Sequence, residues 1–267
     1  MNFRKYYYYA GSILKLLTGV REWNLILRIF LDLPVPEKKV ISLRSTGLRF
    51  QVRGKMDIWS IKETFIDRFY EKYGVPVQDD WVIVDIGAGI GEYTLFAAAG
   101  HSGNTVHAYE PFPESFSLLK ANLELNRVKG VQIFSEAVAG QSGTAELDLA
   151  GGEPLKFSTE AHHALPDALH VTAMTLSQVL DRVGKRCNVL KLDCEGAEYT
   201  ILFNTPDVVL ATLDHIVLEY HDRVTAYSHR DLAEFLSAKG FSVETVPNVV
   251  HSELGYLHAF RSPAGKP

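Results

Sequence analysis

The segment VDIGAGIGEYT, residues 84–94, follows a short apolar run that begins at Trp81. Three glycines, Gly87, Gly89 and Gly91, alternate within it. A glycine-rich turn between a strand and a helix is typical of nucleotide-binding α/β folds, because the backbone can approach the ligand closely there. The segment therefore predicts a nucleotide-type ligand, and its neighbours indicate which one.

A dinucleotide fingerprint needs glycine at its first, third and sixth positions, the last beside a pyrophosphate. Gly87 and Gly89 fit this pattern, whereas the sixth position is Glu92. A carboxylate at the amino end of a helix would occupy the place of the phosphate charge. The Lys-Ser/Thr pair of an ATP-binding loop is also missing from the stretch. The pattern argues against both NAD and ATP.

S-adenosylmethionine carries a sulfonium, an ammonium, a carboxylate and a ribose diol but no phosphate, so acidic neighbours are compatible with it. Asp85 ends the first strand of the pattern, and Glu110 ends the next, where a carboxylate can accept both ribose hydroxyls. With Gly87, Gly89 and Gly91 these two residues predict a methyl-donor site. The alternative is a glycine turn at which Asp85 and Glu110 only cap helices.

Short apolar runs alternate with helical segments from Trp81 onward. The predicted strands are Val82–Asp85, Thr105–Tyr109, Val131–Phe134, Val189–Leu192, Ile216–Glu219, Phe241–Val246 and Tyr256–Phe260. The predicted helices lie near Glu92–Ala99, Pro113–Asn126, Leu176–Val183, Ala197–Phe203 and Arg230–Lys239. This alternation indicates right-handed βαβ units with helices on both faces of the sheet.

The last two predicted strands are joined only by PNVVHSELG, residues 247–255. That stretch is too short for a helical crossover, so these strands should be antiparallel. The sequence therefore predicts an α/β, Rossmann-like fold with a mostly parallel seven-stranded sheet, one antiparallel strand and an N-terminal helical extension.

Three segments are expected along the chain. Residues 1–33 form the helical extension, residues 34–80 a hairpin and a helix that lead into the core, and residues 81–267 the Rossmann-like domain. The hairpin is VISLRSTGLRFQVRG, residues 40–54, and the helix DIWSIKETFIDRFYEKYG, residues 57–74. Two further short strands, Thr144–Leu149 and His170–Thr175, bracket a polar loop expected to cover the site.

Composition limits the class of protein. The chain has 267 residues, of which 46% are hydrophobic, enough for one sizeable core. With 27 Lys+Arg against 32 Asp+Glu, the net charge is −5, which disfavours a nucleic-acid partner. The two cysteines, Cys187 and Cys194, cannot easily bridge within one extended segment, so we expect a reducing, cytoplasmic location.

Apolar residues recur with a helical period through residues 1–33. The stripe comprises Ile13, Leu16, Leu17, Val20, Trp23, Leu27, Phe30 and Leu31. Charged residues interrupt every candidate membrane span, and no signal-peptide cleavage pattern follows. Two interpretations stay open: helices packed on their own domain or on a partner copy in a homodimer, or an interfacial helix. In the second, basic residues (Arg4, Lys5, Lys15, Arg21 and Arg28) would face lipid headgroups of the cytoplasmic membrane surface.

Acidic and histidine side chains follow two neighbouring predicted strands. Asp193 and Glu195 lie at the end of one, and Glu219 and His221 at the end of the next. Ligands of open α/β sheets lie outside these carboxyl ends, so both pairs should border the methyl acceptor. The alternatives are that Asp193 caps the following helix and that Glu195 is a charge on its dipole.

Roles follow from the chemistry of these groups. His221 is predicted to be the general base, because imidazole titrates near neutral pH, with Glu219 orienting it. Asp193 and Glu195 would bind acceptor hydroxyls or, together with His221, hold a divalent cation, although no metal motif is strong enough to assert one. Lys191 is expected to be structural and to reach a carboxylate, and Glu198 to be solvated or structural.

Six ordered blocks carry a family resemblance: residues 84–94, AYEPFPESFSLLKANLELN at 108–126, EAVAGQSGTAEL at 136–147, VTAMTLSQVL at 171–180, KLDCEGAEYTIL at 191–202 and IVLEYHD at 216–222. From about residue 57 to residue 260 the chain resembles the FkbM family of S-adenosylmethionine-dependent methyltransferases. The resemblance implies a class I methyltransferase fold and O-methylation, often of sugar or polyketide hydroxyls. It also implies adenine contacts at Glu136, Ala137 and Val138.

The predicted function is that of an S-adenosylmethionine-dependent O-methyltransferase. Its acceptor would be a hydroxyl of a sugar, glycan or other small natural product. No Asn/Asp-Pro-Pro-Tyr/Phe motif for methylating nucleic-acid bases follows the strands, which further disfavours a nucleic-acid substrate. Two other classes stay open: a non-catalytic scaffold that binds S-adenosylmethionine, and a sugar-nucleotide or NAD enzyme, which Glu92 disfavours.

Overall fold

The structure is a computed structural model that describes residues 3–147, 169–184 and 186–261. The helices are α1 (Phe3–Gly19), α2 (Trp23–Phe30), α3 (Lys55–Ile61), a π-helix (Lys62–Ile66), α4 (Phe69–Lys72), α5 (Glu92–Ala99), α6 (Pro113–Asn126), α7 (Leu176–Val183), α8 (Ala197–Phe203), α9 (Asp207–Leu210) and α10 (His229–Ala238). The strands are β1 (Lys39–Ser42), β2 (Arg49–Val52), β3 (Val82–Ile86), β4 (Thr105–Tyr109), β5 (Val131–Phe134), β6 (Ala137–Val138), β7 (Gly143–Leu147), β8 (Leu169–Met174), β9 (Cys187–Leu192), β10 (Leu213–His221), β11 (Ser242–Pro247) and β12 (Leu254–Phe260).

Seven strands form the central sheet in the order β11-β12-β10-β9-β3-β4-β5. Only β12 runs antiparallel to its neighbours, so the predicted Rossmann-like architecture is confirmed. Strand β3 is buried on both faces: Val84 packs in one apolar cluster with α7, α8 and α10, and Ile83 in another with α5. Such two-sided burial explains the uninterrupted apolar runs of the central strands.

The strand register aligns the ends that carry the site. Ile86 pairs with Leu192, and Leu192 pairs with Leu218. The residues that follow these positions therefore emerge side by side at one edge of the sheet. This edge is the carboxyl end at which open α/β sheets bind ligands.

A smaller sheet of order β6-β8-β7 contains the two short strands expected around the polar loop. β7 and β8 pair antiparallel, with Gly143 opposite Ala173. The part of the loop at 151–168, with His162 and His163, lies outside the described residues. The proposed cover over the site thus stays a prediction.

The helix predicted over residues 57–74 is wrong in its continuity. α3 passes into the π-helix at Lys62, where the Asp67 amide donates to the Lys62 carbonyl at 2.9 Å, and Arg68 then adopts φ +53° before α4. The Lys62 side chain is fully buried, and its ammonium pairs with the Asp67 carboxylate. That buried ion pair joins residues only five apart, and apolar periodicity does not register it.

The N-terminal extension is a helix pair packed on its own domain. Leu16 and Ile26 are buried in a cluster that also contains the hairpin residue Phe50 and the α5 residue Leu95. All three predicted segments thus contribute side chains to the same apolar core. The boundaries at residues 33 and 80 remain predictions about domain organisation. No helix within the described ranges is long and apolar enough to cross a membrane.

The predicted apolar stripe does not continue through both helices. Trp23 and Leu31 belong to it yet are largely exposed, whereas Ile26 and Ile29, outside it, are buried. The chain turns between α1 and α2, where the Glu22 carboxylate accepts hydrogen bonds from the Ser42 amide and hydroxyl. The apolar face of α2 is therefore rotated relative to that of α1. One helical period cannot describe both helices.

Candidate functional site

The glycine loop takes the conformation that its sequence demands. Gly87 and Gly91 have φ values of +72° and +91°, in the region that glycine adopts readily. A Cβ on Gly87 would lie 1.9 Å from the Asp193 carbonyl oxygen, so the loop and the end of β9 touch through bare backbone. The loop is thereby held against the strand ends.

A buried ion pair between Lys191 and Asp85 supports the glycine loop. The Lys191 ammonium donates to the Gly87 carbonyl at 2.7 Å and lies 3.1 Å from Asp85 Oδ1. Thr94 donates to the other oxygen of Asp85 at 2.6 Å. Burial alone would lower the pKa of Lys191, but Asp85, with other nearby carboxylates, raises it above its ordinary value. The expectation that Lys191 reaches a carboxylate is confirmed.

Asp85 was expected to hold the donor, but its side chain is fully buried. Both of its oxygens face Lys191 and Thr94 beneath the loop. Direct contact between Asp85 and the donor stays a prediction, and in this conformation no part of Asp85 is exposed. Its contribution to a donor site would pass through Lys191 and the backbone of Gly87.

Glu110 lies at the end of β4 beside the loop, as predicted. Its carboxylate accepts hydrogen bonds from the amides of Gly89 and Phe112, both at 2.8 Å. Burial raises the pKa of Glu110 to about 7, against the two amides, which lower it. Each carboxylate oxygen has a further lone pair, so the ribose assignment stays a prediction that this geometry permits.

Glu92 occupies the amino end of α5. Its carboxylate accepts a 2.5 Å hydrogen bond from the Ser60 hydroxyl, and its Oε1 would lie 3.4 Å from a Cβ on Gly89. Burial raises the pKa of Glu92 to about 7, although Lys191 and Ser60 lower it. The place where a dinucleotide would put its pyrophosphate is filled by an acidic side chain.

The segment assigned to adenine lies beside β5. Ala137 and Val138 are buried, and both pair with β8. The Glu136 carboxylate lies 3.0 Å from the Arg182 guanidinium, which also covers the Phe134 ring at 4.5 Å. The three adenine contacts stay predictions. Arg182 and Phe134 are further residues that border this segment.

Three side chains at the carboxyl ends of β9 and β10 converge beside the glycine loop. One potential ligand atom each from Asp193, Glu219 and His221 lies within 4.8 Å of the others. Tyr70, from α4, donates from its hydroxyl to Asp193 Oδ2 at 2.8 Å. The sequence predicted this convergence, whereas the contribution of α4 was missed.

His221 is buried between two glutamates. Its Nδ1 lies 3.3 Å from Glu198 Oε1, and its Nε2 lies 3.4 Å from Glu195 Oε2. The expected orienting contact from Glu219 is thus made by Glu198, which is fully buried rather than solvated. Glu198 in turn accepts hydrogen bonds from the amides of Cys194 and Gly196.

This environment alters the protonation of His221. Burial alone would lower its pKa, but Glu198, Asp193 and Glu195 raise it to about 10. An imidazolium has no lone pair with which to accept the proton of a hydroxyl. A base role for His221 therefore stays a prediction, and it requires a bound ligand to change these contacts.

Further acidic and aromatic groups border the same space. Burial, Asp193 and Glu63 raise the pKa of Glu219 well above its ordinary value. Burial likewise raises the pKa of Glu63 to about 7, although Lys62 and the Trp59 indole N–H, 2.9 Å away, lower it. Glu63 sits on the π-helix, so its approach to the strand ends has no signal in the sequence.

Comparisons with known proteins identify the relatives of this chain. Residues 85–243 match a family model described as the methyltransferase FkbM domain. Methyltransferase 1 of Beauveria bassiana (strain ARSEF 2860) is 31% identical, and the match covers 68% of this chain and 80% of that protein. The 31-O-demethyl-FK506 methyltransferase FkbM of Streptomyces tacrolimicus is 29% identical, and the match covers 75% and 88%.

Solved structures agree on the fold. Methyltransferase FkbM from Methylobacillus flagellatus KT gives a TM-score of 0.50 at 12% identity, covering 76% of this chain and 53% of that chain. The SAM-dependent methyltransferase from Agrobacterium tumefaciens gives a TM-score of 0.51 at 11% identity, covering 86% and 72%. At such identities the likeness concerns the fold alone.

Proposed function

The chain belongs to the FkbM methyltransferase family and uses S-adenosylmethionine as its methyl donor, and we propose that it methylates a hydroxyl group of a sugar, glycan or other small natural-product acceptor. The observation that carries this proposal is the acidic cluster of Asp193, Glu219 and His221 beside the glycine loop. Carboxylates accept hydrogen bonds from hydroxyl groups, whereas a phosphate-rich acceptor would need cationic side chains. One relative also carries an O-demethyl natural product in its name.

The donor would lie along the loop. Glu110 would accept the ribose hydroxyls, and the backbone of Ala137 and Val138, with the side chain of Glu136, would border the adenine. Gly87, Gly89 and Gly91 let the chain pass close to the donor, and Asp85 fixes the loop through Lys191. This arrangement would direct the methyl toward the ends of β9 and β10.

Catalysis would depend first on position. Methyl transfer from a sulfonium is a one-step displacement, so holding the acceptor oxygen in line with the methyl supplies much of the rate. Asp193 and Glu195 would bind acceptor hydroxyls, with Tyr70 fixing the Asp193 carboxylate. His221 would take the hydroxyl proton from its neutral form, which requires that its own proton first pass to Glu195 or to solvent, and Asp193 is the alternative base.

The test is turnover of labelled donor with a panel of hydroxyl-bearing sugars and natural products. The proposal predicts formation of S-adenosylhomocysteine together with one labelled acceptor. Donor binding without turnover on any acceptor, including a cell extract, would favour the non-catalytic scaffold. Transfer to a nitrogen or carbon atom would overturn the hydroxyl assignment.

We also propose that the N-terminal helix pair contacts an anionic membrane surface. Leu14 is 63% exposed, Leu31 65% and Leu33 47%, although these side chains are large and apolar. The adjoining cleft of about 650 Å³ is lined by Lys39, by Lys55, which pairs with Asp32, and by Arg53, which pairs with Asp57. Each leucine fully buried in a membrane contributes about 1.5–3 kcal/mol, and each basic group near an anionic surface about 1 kcal/mol.

This surface is tested in the full chain, because both helices carry core residues. Leu31→Ser/Leu33→Ser should weaken sedimentation with phosphatidylserine vesicles on the order of 10- to 100-fold, and salt should weaken it further. Val208→Ser, which changes a still more exposed apolar residue on α9, is the control. A dimer that dissociates in the double variant, with no vesicle binding, would assign the surface to a second copy.

The free thiols Cys187 and Cys194 support the predicted cytoplasmic location.

A further inference from the structure

The cluster at the ends of β9 and β10 has the composition of a metal site. One atom each of Asp193, Glu219 and His221 lies within 4.8 Å of the others. Two carboxylate oxygens and one imidazole nitrogen are ligands that divalent first-row ions such as Mn²⁺ accept. A spacing of this size leaves room for one ion, since metal–ligand bonds are about 2.0–2.2 Å long.

The ligand atoms are available. No group in the described part of the chain donates a hydrogen bond to the Glu219 carboxylate. Tyr70 occupies only Oδ2 of Asp193, so Oδ1 is open. The ligand set differs from the one expected from sequence, because Glu195 has a side chain 65% exposed and Glu219 takes its place.

Outer groups already orient two of the three ligands. Glu198 is fully buried, held by two backbone amides, and lies 3.3 Å from Nδ1 of His221. A carboxylate behind the second ring nitrogen is the usual support of a metal-binding histidine, and it leaves Nε2, which lies 3.4 Å from Glu195 Oε2, as the atom that would bind the ion. The Tyr70 hydroxyl gives Asp193 the same kind of support. Nδ1 of His221 is buried and makes no hydrogen bond within the described residues, so Glu198 supports the ring as an ion pair.

The local charge also calls for a cation. Glu63 and Glu195 are two further carboxyl groups close to Asp193 and Glu219. Of the two buried lysines nearby, Lys62 pairs with Asp67, and Lys191 lies 3.1 Å from Asp85 and 4.0 Å from Asp193, so Glu219 has no lysine partner among the described residues. Buried carboxylates that lack a paired cation are costly, and a divalent ion would offset that cost.

From these contacts we propose that Asp193, Glu219 and His221 bind one divalent cation, with Mn²⁺ as the probe. The inference rests on the proposed function for its role, which is to hold the acceptor oxygen beside the donor methyl. Ion binding itself needs neither donor nor acceptor and is measured without turnover. Under this proposal His221 is a neutral ligand, and Glu195, the carboxylate beside it, takes the hydroxyl proton in its place.

The experiment is titration of the full chain with Mn²⁺, followed by the loss of the free-ion electron paramagnetic resonance signal. We expect one saturable site. Glu219→Gln should weaken it by at least 10-fold, and Tyr70→Phe, which keeps the ring, by about 10- to 100-fold. Glu244→Gln makes the same substitution as the first variant at an exposed position of β11 and should bind like the parent.

Calorimetry with S-adenosylmethionine on the same variants separates the two claims. A parent that binds the donor but no Mn²⁺ overturns the cation site and leaves the proposed function standing. Equal Mn²⁺ affinity in Glu219→Gln, Tyr70→Phe and Glu244→Gln also overturns it. Because Tyr70→Phe removes one hydroxyl, it tests the site even where Glu219→Gln fails to fold. Saturable Mn²⁺ binding in a chain that binds no donor would instead contradict the proposed function.

Discussion

Replacing Lys191 with methionine tests the support beneath the glycine loop. The Lys191 ammonium and the Asp85 carboxylate lie 3.1 Å apart, and neither side chain is more than 1% exposed. At an effective dielectric constant of about 20, Coulomb's law gives an attraction of about 5 kcal/mol at this distance. The substitution also removes the 2.7 Å hydrogen bond to the Gly87 carbonyl.

Removing one partner of a buried pair leaves the other as an uncompensated charge. We therefore expect Lys191→Met to lower the free energy of unfolding by about 3–5 kcal/mol. Asp85→Asn added to Lys191→Met removes that charge and should recover about 1–3 kcal/mol, the usual size of such coupling. Lys120→Met, on the exposed side of α6, removes a lysine without a buried partner and should change the stability by less than about 0.5 kcal/mol.

The assay is urea unfolding, with the midpoint shift interpreted at constant slope. Donor affinity is measured on the same proteins by calorimetry, because a loosened loop should also weaken binding. The reasoning is refuted if Lys191→Met unfolds at the same urea concentration as Lys120→Met. It is equally refuted if Asp85→Asn in the double variant brings no recovery.

Three further substitutions test individual groups. Glu110→Ala should weaken S-adenosylmethionine binding about 10- to 100-fold by calorimetry, because a charged hydrogen-bond acceptor is lost. The control, Glu124→Ala on α6, should bind the donor like the parent. Equal affinities of the two variants would contradict the ribose assignment of Glu110. The folded pKa of Glu92, about 7, lies above its unfolded value, so its stabilising effect is full below about pH 4.5 and lost as the pH rises through 7. Glu92→Gln should therefore gain stability over the parent between pH 5 and pH 8, on the order of 3 kcal/mol by urea unfolding, and a constant difference would contradict this. His221→Ala should keep donor binding but lose about 10²- to 10⁴-fold in turnover if the histidine is the base, and a near-parental rate would transfer that role to Asp193 or Glu195.

Much of the fold follows from local pattern. Strands β3, β4 and β9, which lead into the site, are short apolar runs buried on both faces, so their periodicity and their order along the chain sufficed. The antiparallel strand β12 followed from the length of one loop. Since carboxyl ends of parallel strands share an edge, the convergence of Asp193 and His221 was predictable as well.

The remaining features depend on contacts between distant parts of the chain. Tyr70 and Glu63 reach the site only because the helix predicted at 57–74 is broken by a π-helix around the buried Lys62. The orientation of His221 depends on Glu198, which looks like an ordinary helix residue in the sequence. The exposure of Trp23 reflects the turn between α1 and α2, which no apolar period encodes.

The central claim is methyl transfer from S-adenosylmethionine to a hydroxyl oxygen. Its most direct measurement is incubation of the full chain with donor carrying an isotopically labelled methyl and a panel of sugars and hydroxylated natural products, followed by nuclear magnetic resonance of the product. The account predicts stoichiometric S-adenosylhomocysteine and a labelled methyl bonded to oxygen. A labelled methyl on nitrogen or carbon, or donor binding without transfer to any acceptor, would contradict it.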